Sequence, residues 1–196
     1  MPSPTRIVVL ISGSGTNLQS IINAIKTGAI NATIVAVISN KAGVQGLERA
    51  RKENIPALTV SHQQFTHREH FDQALMQKID EYTPDLIVLA GFMRILSKDL
   101  VNHYRGKMIN IHPSLLPKYQ GLHTHRRALE ADDRQHGCSI HFVTEELDGG
   151  PVIAQSSCEI QADDTEQTLR ERVQQLEHKL YPQVIKDFCE GKITLS

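Results

Sequence analysis

Near its N-terminus the chain reads Ile7-Val8-Val9-Leu10-Ile11-Ser12-Gly13-Ser14-Gly15, and this segment indicates the fold class. Residues 7–11 are an unbroken apolar run rich in β-branched side chains, which is typical of a strand buried on both faces of a sheet. The run stops at four small residues, and from Thr16 apolar residues recur at helical spacing until Gly28 closes the element. A buried strand, a tight turn and a helix in this order predict the first unit of an α/β fold.

The same alternation continues through the first half of the chain and predicts a parallel sheet with helices on both faces. The further strands are predicted at residues 33–38, 57–60 and 85–90, and the further helices at residues 43–52 and 68–82.

The second half departs from this alternation. Strands are predicted at residues 107–111, 138–144 and 151–160, and helices at residues 124–131 and 165–190, the last with a break at Pro182. The two final strands are expected to pair antiparallel through the turn at residues 145–150. No linker or repeat interrupts residues 1–196, so the predicted fold class is α/β: a single-domain, Rossmann-like, mostly parallel sheet with antiparallel strands in its C-terminal part.

The composition of the chain excludes several classes of protein and of binding partner. The 21 basic residues nearly balance 22 acidic ones, which argues against a nucleic-acid binder, because such binders need a surplus of positive charge. Three cysteines without a CxxC spacing indicate a reducing compartment and neither a disulfide framework nor a zinc ribbon. No apolar run is long enough for a signal peptide or a membrane span, so we expect a cytoplasmic protein with no membrane partner. The oligomeric state is left open, a homodimer included.

The glycine loop after the first strand is a candidate anion site. Gly13 and Gly15 lie where a strand meets a helix N-terminus, and backbone N–H groups there favour a negative charge. A dinucleotide fingerprint would need a third glycine where Leu18 stands, so a single phosphate fits better. Thr16 and Asn17 are expected to supply side-chain donors or helix caps. An ordinary turn before a capped helix remains the alternative reading.

A polar pair interrupts the apolar strand at residues 107–111. Asn110 and His112 are two residues apart, so strand alternation puts them on one face, at the carboxyl end where open α/β sheets bind ligands. The loop at residues 145–150 supplies carboxylates. An amide donor, an imidazole and a carboxylate suit acyl-type transfer through a tetrahedral intermediate, and no nucleophilic serine or cysteine motif is evident. A core histidine and a plain hairpin turn remain the alternatives.

Over residues 7–181 the chain resembles the folate-dependent formyltransferases, and within them the glycinamide ribonucleotide branch. The resemblance rests on INIHPSLLPKYQGLHTHR from Ile109, on FVTEELDGGPVI from Phe142, on IVVLISGSGTNLQ from Ile7, on ISNKAGVQGLERAR from Ile38 and on DLIVLAGFMRIL from Asp85. It implies transfer of a formyl group from 10-formyltetrahydrofolate, a co-substrate, to the amine of a small phosphorylated substrate, without a metal. One departure is Gln120, which stands where the family commonly has proline.

The resemblance also implies the site residues. The catalytic set would be Asn110, His112 and Asp148. Gly15, Thr16 and Asn17 would hold the substrate phosphate, with Gly13 and Ser14 shaping the loop and Glu177 on the ribose. The folate would be held by Arg68, Met93, Arg94, Ile95, Leu96, Asn110, Glu145, Glu146, Leu147 and Asp148.

Three other functions are alternatives to formyl transfer onto a small phosphorylated substrate. A deformylase of the same superfamily would carry an extra N-terminal domain, and a methionyl-tRNA formyltransferase would carry a basic C-terminal one. A non-enzymatic nucleotide-binding module would leave Asn110, His112 and Asp148 without a role. His123 and His125 are spaced as metal ligands might be, but no matching cysteine or carboxylate supports a metal. We therefore expect these two histidines to lie near the site or on the surface.

Overall fold

The structure is a computed structural model and describes residues 2–196. Its elements in chain order are β1 (Thr5–Ile11), α1 (Thr16–Lys26), β2 (Ala32–Ser39), α2 (Gln45–Lys52), β3 (Ala57–Thr59), a 3-10 turn (His62–Gln64), α3 (Arg68–Asp80), β4 (Leu86–Leu89), α4 (Lys98–His103), β5 (Met108–His112), α5 (Thr124–Glu130), β6 (Gln135–Phe142), β7 (Val152–Glu159) and α6 (Glu166–Cys189).

The strands form one seven-stranded sheet in the order β3-β2-β1-β4-β5-β6-β7. The first five strands of that order are parallel, whereas β6 pairs antiparallel with both β5 and β7. The predicted fold class is therefore confirmed: an α/β, Rossmann-like, mostly parallel sheet with antiparallel strands in the C-terminal part.

Side-chain alternation along β1 divides the core into two layers. Ile7, Val9 and Ile11 belong to the layer that α1, α2 and α6 cover. Val8 and Leu10 point to the opposite layer, which α3 and α4 cover. Because both faces of the strand are covered, every residue from 7 to 11 must be apolar, and all five are fully buried.

The predicted break at Pro182 is wrong, because α6 runs through it without interruption for 24 residues. A proline in a helix removes one hydrogen bond and crowds the preceding turn. Here Tyr181 and Ile185, on either side of it, are fully buried, and the Tyr181 hydroxyl donates to the Leu89 carbonyl at 2.7 Å. Packing on the sheet holds the helix together. Across residues 2–196, no helix combines the length and apolar character needed to cross a membrane.

Two short elements had not been predicted, the 3-10 turn and α4. With only six residues, α4 is too short to display a helical period, and its start is fixed by the Ser97 hydroxyl accepting from the Leu100 N–H. Strand β6 begins at Gln135, three residues before the predicted start at residue 138, because Gln135 and His136 already pair with β7.

The strand order determines where a ligand can bind. The chain moves outward from β1 to β2 and β3, then returns to the other side of β1 with β4, so the switch lies between β1 and β4. Ligands of open α/β sheets bind beyond the carboxyl ends of the strands at such a switch. The segments that follow β1, β4 and β5 all leave the sheet at this edge.

Candidate active site

Gly15 determines the shape of the loop after β1. Its φ is +72°, a left-handed conformation that glycine adopts without strain, and it is the N-cap of α1. A Cβ added at Gly15 would lie 2.7 Å from the Cα of Gly46, the second residue of α2. The Gly46 N–H donates to the Gly13 carbonyl at 3.0 Å. Close approach of α2 therefore fixes the loop and leaves no room for a side chain at Gly15.

The expectation that Thr16 or Asn17 caps α1 is wrong. The N-cap position is occupied by Gly15, which has no side chain, and within residues 2–196 no side chain caps this helix. Thr16 and Asn17 lie inside the first turn, where a side chain cannot take the capping position. The backbone N–H groups that open α1 therefore remain available to an anion.

Arg49 brings a positive charge to this loop, and sequence reasoning missed it. Its Nε donates to the Ser14 carbonyl at 2.7 Å and its Nη1 to Gln19 Oε1 at 3.4 Å. Arg49 is 35 residues from Ser14, so only the packing of α2 on the loop reveals the contact. The Arg49 guanidinium lies close to the free N–H groups at the start of α1, and its positive charge strengthens the preference of the loop for an anion.

Glu177 lies on α6 and faces the same loop. It is 7% exposed, and burial raises the pKa of its carboxyl to about 7, while a hydrogen bond from the Asn17 side chain lowers it. The Asn17 Oδ1 is itself buried without a protein partner. The structure therefore brings together Asn17 and Glu177, two of the residues predicted to hold the phosphorylated substrate.

The three predicted catalytic side chains converge at the carboxyl end of β5. His112 Nδ1 lies 3.6 Å from Asp148 Oδ1, and each side chain is less than a tenth exposed. Asn110 is joined to the pair through His141: its Nδ2 lies 3.2 Å from His141 Nε2, which in turn lies 4.0 Å from Asp148 Oδ1. An amide, two imidazoles and a carboxylate thus share one buried cluster.

A backbone contact decides which nitrogen of His112 faces the carboxylate. Nε2 lies 2.8 Å from the Tyr119 carbonyl oxygen, which can only accept, so Nε2 carries a proton. Nδ1 is then the nitrogen that faces Asp148. The loop after β5 therefore assigns His112 its tautomer.

Asp148 is held in place by its backbone and by two neighbours in the loop after β5. Its φ is +51°, a left-handed conformation that aspartate tolerates better than most residues. Its Oδ2 accepts from the Gly121 N–H at 2.9 Å, and Gln120 Nε2 donates to its carbonyl at 3.3 Å. With Oδ2 occupied, Oδ1 is left to face the imidazoles.

His141, on β6, is a member of the cluster that the sequence did not reveal. It stands directly opposite Asn110 in the antiparallel register, a pairing that the sequence does not specify. Burial lowers its pKa, against the opposing effects of its bond to the Phe142 carbonyl and of Asp148. Nδ1 donates to that carbonyl at 2.9 Å, so Nε2 accepts from Asn110 and fixes the orientation of the amide.

The residues predicted to hold the folate lie in different environments, some exposed and some packed against the core. Met93, Ile95 and Leu147 are large apolar side chains exposed by 66%, 56% and 51%, so each is free to contact a ligand. Arg94 stacks over the Phe71 ring, 5.3 Å from its centroid, and Leu96 packs into the α3 side of the core.

Three further residues of the predicted folate set show no contact with the catalytic cluster. Arg68 is exposed at the first position of α3. The Glu145 side chain turns to α4, where it accepts from Asn102 at 2.9 Å and pairs with Lys98. Glu146 packs over Gly149, and its carbonyl accepts the Gly149 N–H.

His123 and His125 have separate environments. His123 is exposed at the start of α5, whereas His125 is buried with its Nδ1 3.0 Å from His136 Nε2. Burial lowers the pKa of both His125 and His136 to about 4. Within residues 2–196, no group of three or more His, Cys, Asp or Glu side chains is arranged to hold a metal ion.

Comparison with known proteins agrees with this geometry. The family model described as formyl transferase matches residues 5–185. The chain is 56% identical to the phosphoribosylglycinamide formyltransferase of Escherichia coli (strain K12) over 96% of its own length and 89% of that protein. The solved phosphoribosylglycinamide formyltransferase of Coxiella burnetii has a TM-score of 0.95 at 52% identity, covering 99% of this chain and 91% of that one.

A similar sequence also forms part of a longer protein. The chain is 46% identical to the trifunctional purine biosynthetic protein adenosine-3 of Drosophila melanogaster, over 97% of its own length but only 14% of that protein's. The residues matched by the family model include the loop after β1, the cluster of Asn110, His112, His141 and Asp148, and the loop of residues 145–150. The chain belongs to the formyl transferase family.

Proposed function

We propose that this chain transfers the formyl group of 10-formyltetrahydrofolate to the amine of 5'-phosphoribosylglycinamide, a step of de novo purine biosynthesis. One observation carries the proposal: Asn110, His112 and Asp148 meet in a buried cluster at the sheet edge that also bears the anion-binding loop. The 56% identity to the Escherichia coli enzyme over nearly the whole chain supports the substrate assignment.

The phosphate of the substrate binds at the loop of Gly13, Ser14, Gly15, Thr16 and Asn17. The free N–H groups at the start of α1 and the Arg49 guanidinium favour a dianion there. In the sheet, β4 alone separates β1 from β5, so two strand spacings, about 10 Å, lie between this loop and Asn110. The ribose, with Glu177 as its partner, and the glycinamide extend across this distance toward the cluster.

The folate binds next to the cluster, over the segment that follows β4. Met93 and Ile95 from that segment and Leu147 from the carboxylate loop give the apolar surface on which a flat pterin ring packs. Backbone groups of Arg94, Leu96 and residues 145–148 supply the polar contacts, and Arg68 faces the negatively charged glutamate tail. The formyl group then lies beside Asn110.

Transfer proceeds by direct attack of the substrate amine on the formyl carbon. The carbonyl oxygen becomes an oxyanion, and the Asn110 amide has a second N–H for it, since the first is donated to His141. The imidazolium of His112 stabilises the same oxygen, gives a proton to the departing folate nitrogen and then takes the proton of the attacking amine, which restores it. Asp148 stabilises the imidazolium. No covalent intermediate on the protein is needed.

We place the reaction in the cytoplasm, with two small molecules as its partners. All three cysteines, Cys138, Cys158 and Cys189, are free, and burial raises the pKa of each thiol, which suits a reducing compartment.

Formation of tetrahydrofolate, measured with and without 5'-phosphoribosylglycinamide, tests the proposal. We expect turnover only when the ribonucleotide is present, with one formylated ribonucleotide formed per tetrahydrofolate. Release of formate at the same rate in its absence would make the protein a hydrolase instead, and would refute the proposal.

A further inference from the structure

Ser12 stands between β1 and the anion-binding loop, yet its hydroxyl forms its hydrogen bonds with Asn40 and Met93. It is 6% exposed, and its Oγ lies 2.8 Å from the backbone nitrogen of Met93. That nitrogen belongs to the segment after β4, 81 residues away. In the sequence Ser12 directly precedes the loop of residues 13–17, where the phosphate is proposed to bind. In the structure its hydroxyl instead holds the segment after β4, where the folate is proposed to bind.

The second partner of the hydroxyl fixes its direction. The Met93 N–H can only donate, so the Ser12 oxygen accepts from it and gives its own proton to Asn40 Oδ1, 2.5 Å away. Asn40 directly follows β2, is 2% exposed and is held in turn by His62, whose Nδ1 lies 3.2 Å from Asn40 Nδ2. The chain His62–Asn40–Ser12–Met93 thus crosses the carboxyl ends of β2, β1 and β4.

This chain of bonds ends at an exposed side chain. Met93 is 66% exposed, so core packing of its side chain does not fix its position. Gly91, two residues before it, has a φ of +76°, a left-handed conformation that glycine adopts without strain, and nothing lies within 4 Å of an added Cβ. Phe92 and Leu96, on either side of Met93 and Arg94, pack into the core, and the bond from Ser12 ties the Met93 backbone itself to the end of β1.

We propose that Ser12, supported by Asn40, is a positioning residue for the folate and not for the phosphorylated substrate. The inference rests on the proposed function, in which the segment from Met93 to Leu96 forms the folate surface. Loss of the Ser12 hydroxyl frees the Met93 N–H, lets the segment move, and weakens packing of the pterin ring.

The test is the Michaelis constant of each substrate in Ser12→Ala, measured well below the melting temperature. We expect the KM for 10-formyltetrahydrofolate to rise about tenfold, the effect of losing one buried hydrogen bond. The KM for 5'-phosphoribosylglycinamide should stay within about twofold of the wild-type value, although Ser12 precedes Gly13. A selective rise in the ribonucleotide KM, or an equal rise in both, would overturn the inference while leaving the transferase activity itself established.

Two further variants separate positioning from loss of stability. Asn40→Ala removes the oxygen that accepts the Ser12 hydroxyl proton and should show the same selective rise in the folate KM. This variant keeps the inference testable if Ser12→Ala fails to fold. Ile30→Ala truncates a buried side chain between α1 and β2 and should lower the melting temperature while leaving both KM values unchanged. If Ile30→Ala raised the folate KM as much as Ser12→Ala did, the effect would be one of stability and the positioning role would be wrong.

Discussion

His112 Nδ1 and Asp148 Oδ1 are 3.6 Å apart, just beyond the length of a hydrogen bond, and both side chains are more than nine-tenths buried. The His112 Nε2 is already bonded to the Tyr119 carbonyl, and Asp148 Oδ2 to the Gly121 N–H. The two atoms that face each other are therefore those left free to exchange or stabilise a proton. A shift of half an ångström would close the pair.

Asp148→Asn tests this relationship, because the amide keeps the size of the carboxylate and an oxygen for the Gly121 N–H. Without the negative charge, the imidazolium loses its partner, and we expect turnover to fall about 10- to 100-fold. The KM for 5'-phosphoribosylglycinamide should stay near the wild-type value, since the phosphate loop is untouched. Steady-state kinetics from pH 6 to pH 9 provide the measurement. Full activity of the variant across that range would show that Asp148 has no role in proton transfer.

Gly15→Ala should damage the phosphate loop. The left-handed φ costs a side chain about 1–2 kcal/mol, and the added Cβ would also press on Gly46, 2.7 Å away. We expect a lower free energy of unfolding and a higher KM for the ribonucleotide. Gly13→Ala is the matched control for stability, because its Cβ meets nothing within 4 Å. Equal unfolding free energies for the two variants in denaturant titrations would contradict the loop geometry.

Glu177→Gln should remove a pH dependence of stability. Burial raises the pKa of Glu177 from 4.5 to about 7, so the folded protein binds this proton more tightly than the unfolded chain. The resulting stabilisation is fully present below pH 4.5 and is lost as the pH rises to about 7. The loss amounts to about 3 kcal/mol, and the glutamine variant should not show it.

Urea unfolding at pH 4.5, 6 and 8 measures this difference for both proteins. We expect the wild type to lose stability relative to Glu177→Gln as the pH rises. Parallel profiles for the two would mean that the carboxyl is not desolvated in the folded protein.

The strands of the sheet and the placement of Asn110 and His112 on one face of β5 could be predicted from sequence because both follow from local periodicity. A strand buried on both faces must be continuously apolar, as residues 7–11 are, and the alternation of side chains along β5 puts Asn110 and His112 on one face. Asp148 comes from a distant part of the chain, so only the family resemblance named it as a partner of these two residues.

Contacts that depend on register or on packing between elements were missed. His141 reaches Asn110 because β6 is antiparallel to β5 in one particular register, and Arg49 reaches Ser14 because α2 packs on the loop. The same cause explains the errors. Tertiary packing of Tyr181 and Ile185 carries α6 through Pro182, and the left-handed Gly15 takes the N-cap position expected of Thr16 or Asn17.

If Asn110 and His112 act on the same formyl oxygen, losing both side chains should slow transfer little more than losing one, and a double-mutant cycle measures this coupling. Single-turnover transfer at saturating concentrations of both substrates would be measured for the wild type, Asn110→Ala, His112→Asn and the double variant. We expect each single variant to be slower by roughly 100- to 1000-fold and the double variant to be little slower than the worse single one, since groups that stabilise one centre together are not additive. Effects that simply multiply would show that the two side chains work independently, and would contradict the account.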